Sequence, residues 1–137
     1  MADKLTLQLV TPYKRVLSAE VDEVTAPGSI GELGVLPGHT PLLTTLKIGE
    51  LSYRQGNETY HVAVNWGYLE VENDKVNVLV ETAEPADEID LGRAKAALGR
   101  AEEALKKLSS EDKEFKVMEA ALERAMIRIQ VAGKKAR

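Results

Sequence analysis

The chain has no cysteine in its 137 residues, which excludes disulfide stapling, thiol catalysis and zinc sites built on thiolates, and fits a reducing compartment. No apolar run approaches the roughly 20 residues a helix needs to cross a bilayer, so any membrane association is expected to run through another protein. Basic charge is not in excess either. The formal net charge of -4 gives no reason to expect a nucleic-acid partner. A basic segment followed by an apolar run is missing from the N-terminus, where Leu5, Leu7 and Leu9 alternate with polar residues and read as a strand instead of a signal peptide. Histidine is scarce, and His39 and His61 are too far apart in sequence to suggest a metal constellation. What is present, 44% hydrophobic and 29% charged residues, suits a globular protein with one core.

Composition changes near Pro85. All five prolines, all four tyrosines and Trp66 lie at or before it. Through residue 86 there are six basic and twelve acidic residues, and from 87 to 137 twelve basic and ten acidic, so the two parts carry net -6 and +2. The boundary is placed at Glu84-Pro85-Ala86-Asp87, giving domains at 1–86 and 87–137. Before it the hydrophobic period is two: Leu5, Leu7 and Leu9; Val76, Val78 and Val80; and Tyr60, Val62, Val64 and Trp66 on one face. Turn signals recur at Pro27-Gly28, Pro37-Gly38, Gln55-Gly56-Asn57 and Asn73-Asp74. This pattern predicts an antiparallel β-sandwich of two small packed sheets.

After the boundary the period becomes a heptad. Leu91, Ala94, Leu98, Ala101, Leu105 and Leu108 define one helix, and Phe115, Met118, Leu122, Ala125, Ile129 and Ala132 a second. Ser109-Ser110 is expected to cap the second helix, entered through Glu111 and Asp112. Two seams joined by a short turn predict an antiparallel helical hairpin with Leu91 opposite Ala132 and Leu98 opposite Ala125, an α+β fold in all. The seam is rich in alanine, which buries far less than the roughly 1.5–3 kcal/mol of a buried Leu. Gly92 and Gly99 each cost about 1 kcal/mol relative to Ala inside the first helix. The hairpin therefore reads either as near balance between docked and released states or as an exposed helical pair that tolerates glycine.

The chemical candidates are few. Gly28 to His39 is glycine-rich but lacks the Lys-Ser/Thr and strand-to-helix context of a phosphate-cradling loop, so its glycines read as turns. His39 follows Pro37-Gly38 in a loop with no motif that would place a nucleophile or carboxylate beside it, and His61 should face solvent or a partner. No enzyme active site emerges. Arg93 with Asp90, and Arg100 with Glu103, have the spacing of ordinary helical ion pairs. Arg124 and Arg128 have no acidic residue three or four positions away, and the expected hairpin brings Arg128 near Lys95 and one turn from Arg93. That concentration of positive charge reads either as a solvated basic face or as an anion site, since guanidinium forks suit phosphate oxygens.

The run from Gly31 to Thr44, Gly-Glu-Leu-Gly-Val-Leu-Pro-Gly-His-Thr-Pro-Leu-Leu-Thr, on a sandwich followed by Ile89-Asp90-Leu91-Gly92-Arg93-Ala94 opening a hairpin, resembles the epsilon-subunit family of the F-type ATP synthase. The resemblance spans nearly the whole chain, and Arg124-Ala125-Met126-Ile127-Arg128 is similar to the family's second-helix basic pair. It implies a non-catalytic rotor subunit that needs no cofactor, peripheral on the cytoplasmic face of a bacterial cell membrane. Its implied partners are the gamma subunit, the ring of c subunits and, when the helices extend, the alpha/beta catalytic head. Glu32 is then expected to face the c ring and His39 to lie near the gamma contact. The resemblance also implies helices that are compact on the sandwich or extended so as to block rotation and ATP hydrolysis. In members that bind a regulatory ATP, the positions matching Glu84, Ile89, Asp90, Arg93, Ala94, Arg124 and Arg128 hold it. Gly92 departs from that motif, and the basic tail after Gly133 is short. A purely structural coupling subunit and a free-standing ATP-sensing module are the alternatives.

Overall fold

A computed structural model describes residues 3–134. Eight strands come first: β1 (Leu5–Val10), β2 (Arg15–Val21), β3 (Glu23–Gly28), β4 (Gly31–Val35), β5 (Leu42–Leu46), β6 (Gly49–Gln55), β7 (Glu58–Glu72) and β8 (Lys75–Pro85). One 3₁₀ turn, Ala86–Glu88, leads into α1 (Leu91–Lys106) and α2 (Lys113–Ala132).

The strand order is β2-β1-β8-β7-β5-β3-β4, with β6 pairing β3 and β7. The expected two sheets are joined through shared strands. β7, 15 residues long, pairs with β6 up to Val64 and with β5 from Gly67 onward, while β8 follows it on the other side from Val62 to Glu72. The change of partner falls at Trp66, whose φ of 32° is unusual for a bulky side chain. At Gly67 a Cβ would lie 1.9 Å from the Leu79 carbonyl oxygen, so only glycine admits this close approach of β7 and β8. One pairing departs from the antiparallel expectation: β1 and β8 run parallel, with Leu7 opposite Val76 and Leu9 opposite Val78. They are joined through the whole domain and not by a hairpin, so no tight turn dictates their relative direction.

Leu5, Leu7, Leu9, Val76, Val78 and Val80 are buried, as their alternation requires. The face expected of Tyr60, Val62, Val64 and Trp66 holds only at its centre: Val62 and Val64 are buried, whereas Tyr60 is exposed at the hairpin end and Trp66 is turned out by its backbone. Pro27-Gly28 is not a turn but the buried end of β3, and Ser29-Ile30 makes the turn instead. Pro27 is held there by packing, for a Cβ on Gly49 would meet its ring at 2.6 Å. Asn73 and Asp74, both at positive φ, form the tight β7–β8 turn.

The helical seam forms with exceptions. Asp90 caps α1 by accepting from the Arg93 N–H at 3.0 Å, so this pair is a cap and not the side-chain ion pair expected. Glu103 pairs with Lys106 rather than with Arg100. Ala94, Ala101 and Ala125 are buried along the seam, but Leu91 is exposed at the first turn. Ala132 packs with Ile89 and Val131 against the sandwich. The Ser109 hydroxyl accepts from Glu111 N–H and so shapes the loop, leaving Asp112 to precede α2 without a side-chain cap.

Two apolar clusters result. Sixteen buried residues, all from the strands, form the sandwich core. Five more, Ala63, Ala86, Ile89, Val131 and Ala132, join the hairpin to it.

Candidate functional site

The hairpin meets the sandwich along the last turns of α2. Ile127 packs against the smaller cluster, and Val131 is fully buried in it. This α2 stripe lies off the helix–helix seam, so α2 has two apolar faces, one for α1 and one for β7. Polar ties flank the contact on both sides. On one side Arg128 Nε and one terminal nitrogen donate to the two oxygens of Glu84 at 2.6 and 3.3 Å. On the other, Glu50 of β6 accepts from Lys134 Nζ at 2.7 Å, from Gln130 Nε2 at 3.1 Å and, at its second oxygen, contacts His61 Nδ1 at 2.8 Å. The His61 side chain is 16% exposed, and its partner within the chain is Glu50. Burial works to raise the Glu50 carboxyl, but the bonds from Lys134, Gln130 and His61 outweigh it and hold the group below its ordinary value.

The seven residues proposed for a nucleotide are only partly brought together. Glu84, Arg124 and Arg128 line one narrow cleft of about 30 Å³ between the sandwich and α2, together with Ile48, Asn65 and Thr82. Arg124 makes no ion pair with a described residue, whereas Arg128 is held by Glu84. Ile89 is buried in the apolar contact and Ala94 in the helical seam, so both pack rather than present donors. Asp90 is engaged as the cap, and Arg93 lies exposed on the first turn. Asn65 was not legible as a member of this group. It is buried, its amide nitrogen donates to Glu81, and its side-chain oxygen has no donor among the described residues. The cleft beside it has room for a water molecule.

Glu32 and His39 occupy separate surfaces. Glu32 is exposed on β4 and lines a cleft of about 300 Å³ with Lys47, Glu50, Gln130 and Lys134. His39 is half-buried in the β4–β5 loop, its Nδ1 donating to the Thr40 carbonyl at 2.6 Å, and Gly38 N–H ties this loop to Asp74 of the β7–β8 turn. A third surface went unread in the sequence. Leu43, Tyr68 and Leu79 are 70%, 56% and 50% exposed and share one outer face of β5, β7 and β8 with Val10 of β1, through the pairs Thr45–Tyr68, Tyr68–Leu79 and Val10–Leu79. Such a patch on a sheet's solvent side is a candidate docking surface. Its signal was available: Leu79 interrupts Val76, Val78 and Val80 at an outward position. No described helix is long and apolar enough to cross a membrane. Of the basic tail, residues 135–137 lie outside the described residues.

Two family models match consecutive parts of the chain: ATP synthase, Delta/Epsilon chain, beta-sandwich domain over residues 4–86, and ATP synthase, Delta/Epsilon chain, long alpha-helix domain over 87–133. The ATP synthase epsilon chains of Geotalea daltonii and Geobacter sulfurreducens are each 72% identical over 137 residues, covering 100% of this chain and 99% of theirs. Among solved structures, a chain of the Euglena gracilis mitochondrial ATP synthase, in an OSCP/F1/c-ring assembly, matches 94% of this chain and 81% of its own length at 26% identity and a TM-score of 0.79. A chain of the Tetrahymena thermophila mitochondrial enzyme shares the fold at a TM-score of 0.59 and 17% identity, over 98% of both chains. A sandwich and a hairpin each matched by the corresponding family domain, with close relatives of equal length, place the chain without ambiguity: it belongs to the epsilon-chain family of the F-type ATP synthase, a non-catalytic subunit of that complex.

Proposed function

We propose that the chain is a central-stalk rotor subunit whose sandwich transmits torque and whose hairpin restrains ATP hydrolysis when it leaves the sandwich. In this reading the Leu43–Tyr68–Leu79 face and the His39 loop meet the gamma subunit, and Glu32 lies toward the c ring. In the same reading the chain sits on the cytoplasmic face of a bacterial cell membrane, and the released helices reach the alpha/beta head. One observation carries the reading: among the described residues the sandwich core contains none from the hairpin, so the helices can depart without opening it. The Euglena neighbour, solved in an F1/c-ring assembly, supports the placement.

The test is the assembled complex with residues after Glu88 removed. Hydrolysis is expected to rise while ion-driven synthesis persists. Unchanged hydrolysis favours a purely structural subunit, and lost synthesis assigns the helices to coupling.

Regulatory ATP belongs to the same reading. Arg124 and Arg128 sit one turn apart and repel, and a phosphate bridging both would add charge-assisted bonds. Arg93 would complete the basic set, with Asp90 and Glu84 positioning the ligand. Because Glu84 already neutralises Arg128, the nucleotide has to share or displace that carboxylate. Calorimetric titration decides it: heat from the wild type that disappears in Arg124→Ala/Arg128→Ala supports the site, and no heat at millimolar ATP removes it.

A further inference from the structure

We propose that the Glu50 carboxylate is the latch that holds the C-terminal end of α2 on the sandwich, and that losing this one group releases the hairpin. The proposal rests on the release posited above and names its controlling contact. Glu50 gathers groups from two sides: Gln130 of α2 and Lys134, two residues past its end, converge on one oxygen, and His61 of β7 meets the other. Its side chain is 16% exposed, so the bonds are shielded from much of the screening that weakens surface pairs.

Position matters as much as number. A helix C-terminus carries partial negative charge and repels a neighbouring carboxylate, so Glu50 is tolerable there only while Lys134 and Gln130 face it. Without those donors, the same carboxylate would push the helix end away. Lys134 and Gln130 also flank Val131, the side chain most deeply seated in the sandwich. Helix ends are where local opening begins, so a tie at this end governs whether opening spreads. The Glu84–Arg128 pair lies further in, and its carboxylate, 36% exposed against 16% for Glu50, is the more screened of the two. His61 is a positioning residue: occupying the second oxygen, it leaves the first aimed at α2.

Hydrogen exchange on the full chain tests this, with Glu50→Gln, Lys134→Met and Arg128→Met compared. The first two are expected to speed exchange of the α2 amides by roughly tenfold or more, the effect of losing a charge-assisted bond, with the sandwich amides unchanged. Arg128→Met should change it by less than about fivefold, and Lys134→Arg should restore protection. Exchange unaltered in both Glu50→Gln and Lys134→Met, or as fast in Arg128→Met, overturns the latch. The variants in the assembled complex separate the two proposals: released helices with unchanged hydrolysis support the latch and count against inhibition.

Discussion

The sandwich and the hairpin solve the problem of burial in opposite ways. Of the sixteen buried core residues in the sandwich, fifteen are Leu or Val and only Ala26 is small; of the five at the hairpin contact, three are alanines. Sheets packed face to face stand about 10 Å apart and need large side chains to fill the gap. Alanine lets a helix approach closely but removes little apolar surface from water. One part is therefore a fixed body, and the other an appendage whose attachment rests on Ile89, Val131 and two polar ties. A rotor subunit that must carry load and also change state divides those demands between its two parts.

The largest effect should come from the sandwich. Leu69→Ala removes a fully buried side chain where β7 faces the core, and is expected to cost about 2–5 kcal/mol of global stability in urea unfolding. Val131→Ala should cost less, roughly 1–2 kcal/mol, and only at the hairpin, as faster exchange in α2 with the sandwich unaffected. If Val131→Ala destabilises the sandwich as much as Leu69→Ala does, the two parts share one core and the comparison fails.

Much of this division was legible in the sequence because each part keeps one hydrophobic period. Leu5, Leu7 and Leu9 specify a strand whatever they pack against, and the seam from Ala94 to Leu105 specifies a helix. What could not be read depends on contacts between distant segments. His61 was expected to face solvent or a partner, because a period of two assigns it a side but does not show that Glu50 meets it there. Glu50 gave no signal, since its donors lie 80 and 84 residues away. Arg124 and Arg128 seemed equivalent along the helix, yet only Arg128 reaches Glu84, 44 residues earlier. The direction of β1 against β8 was hidden for the same reason.

Acid should sharpen the contrast. The folded Glu50 carboxyl is held below its ordinary value of 4.5, so its contribution is fully present above that value and is lost as pH falls through the lowered one. The groups facing it are His61 from β7, Gln130 and Lys134 from the α2 end, and Glu32 and Lys47 along the same cleft. Asp22 in the sandwich is also held low, by Lys4 and the Gly56 N–H, so acid weakens both parts. The difference between wild type and Glu50→Gln isolates the hairpin. Their α2 exchange, corrected for intrinsic rates, should differ most above pH 4.5 and converge below it. A gap that persists in strong acid would mean that Glu50 acts through shape and not charge.

The smallest expected effect concerns the two helix-interior glycines, and it asks whether the hairpin's weakness lies in its helices or in its docking. A Cβ on Gly99 would meet nothing within 4 Å, and one on Gly92 would meet only Asp90 Oδ1, at an ordinary 3.5 Å. Neither glycine has positive φ, so alanine fits both without strain. Each replacement should then stabilise α1 by up to about 1 kcal/mol, mainly by restricting the unfolded chain. Because α1 touches the sandwich little, that gain should slow exchange within α1 while leaving the α2 end free to open at its former rate. Gly92→Ala/Gly99→Ala that protects α1 alone places the weak point at the α2 contact. Equal protection of both helices would show that they open as one unit, with helix propensity itself setting the balance.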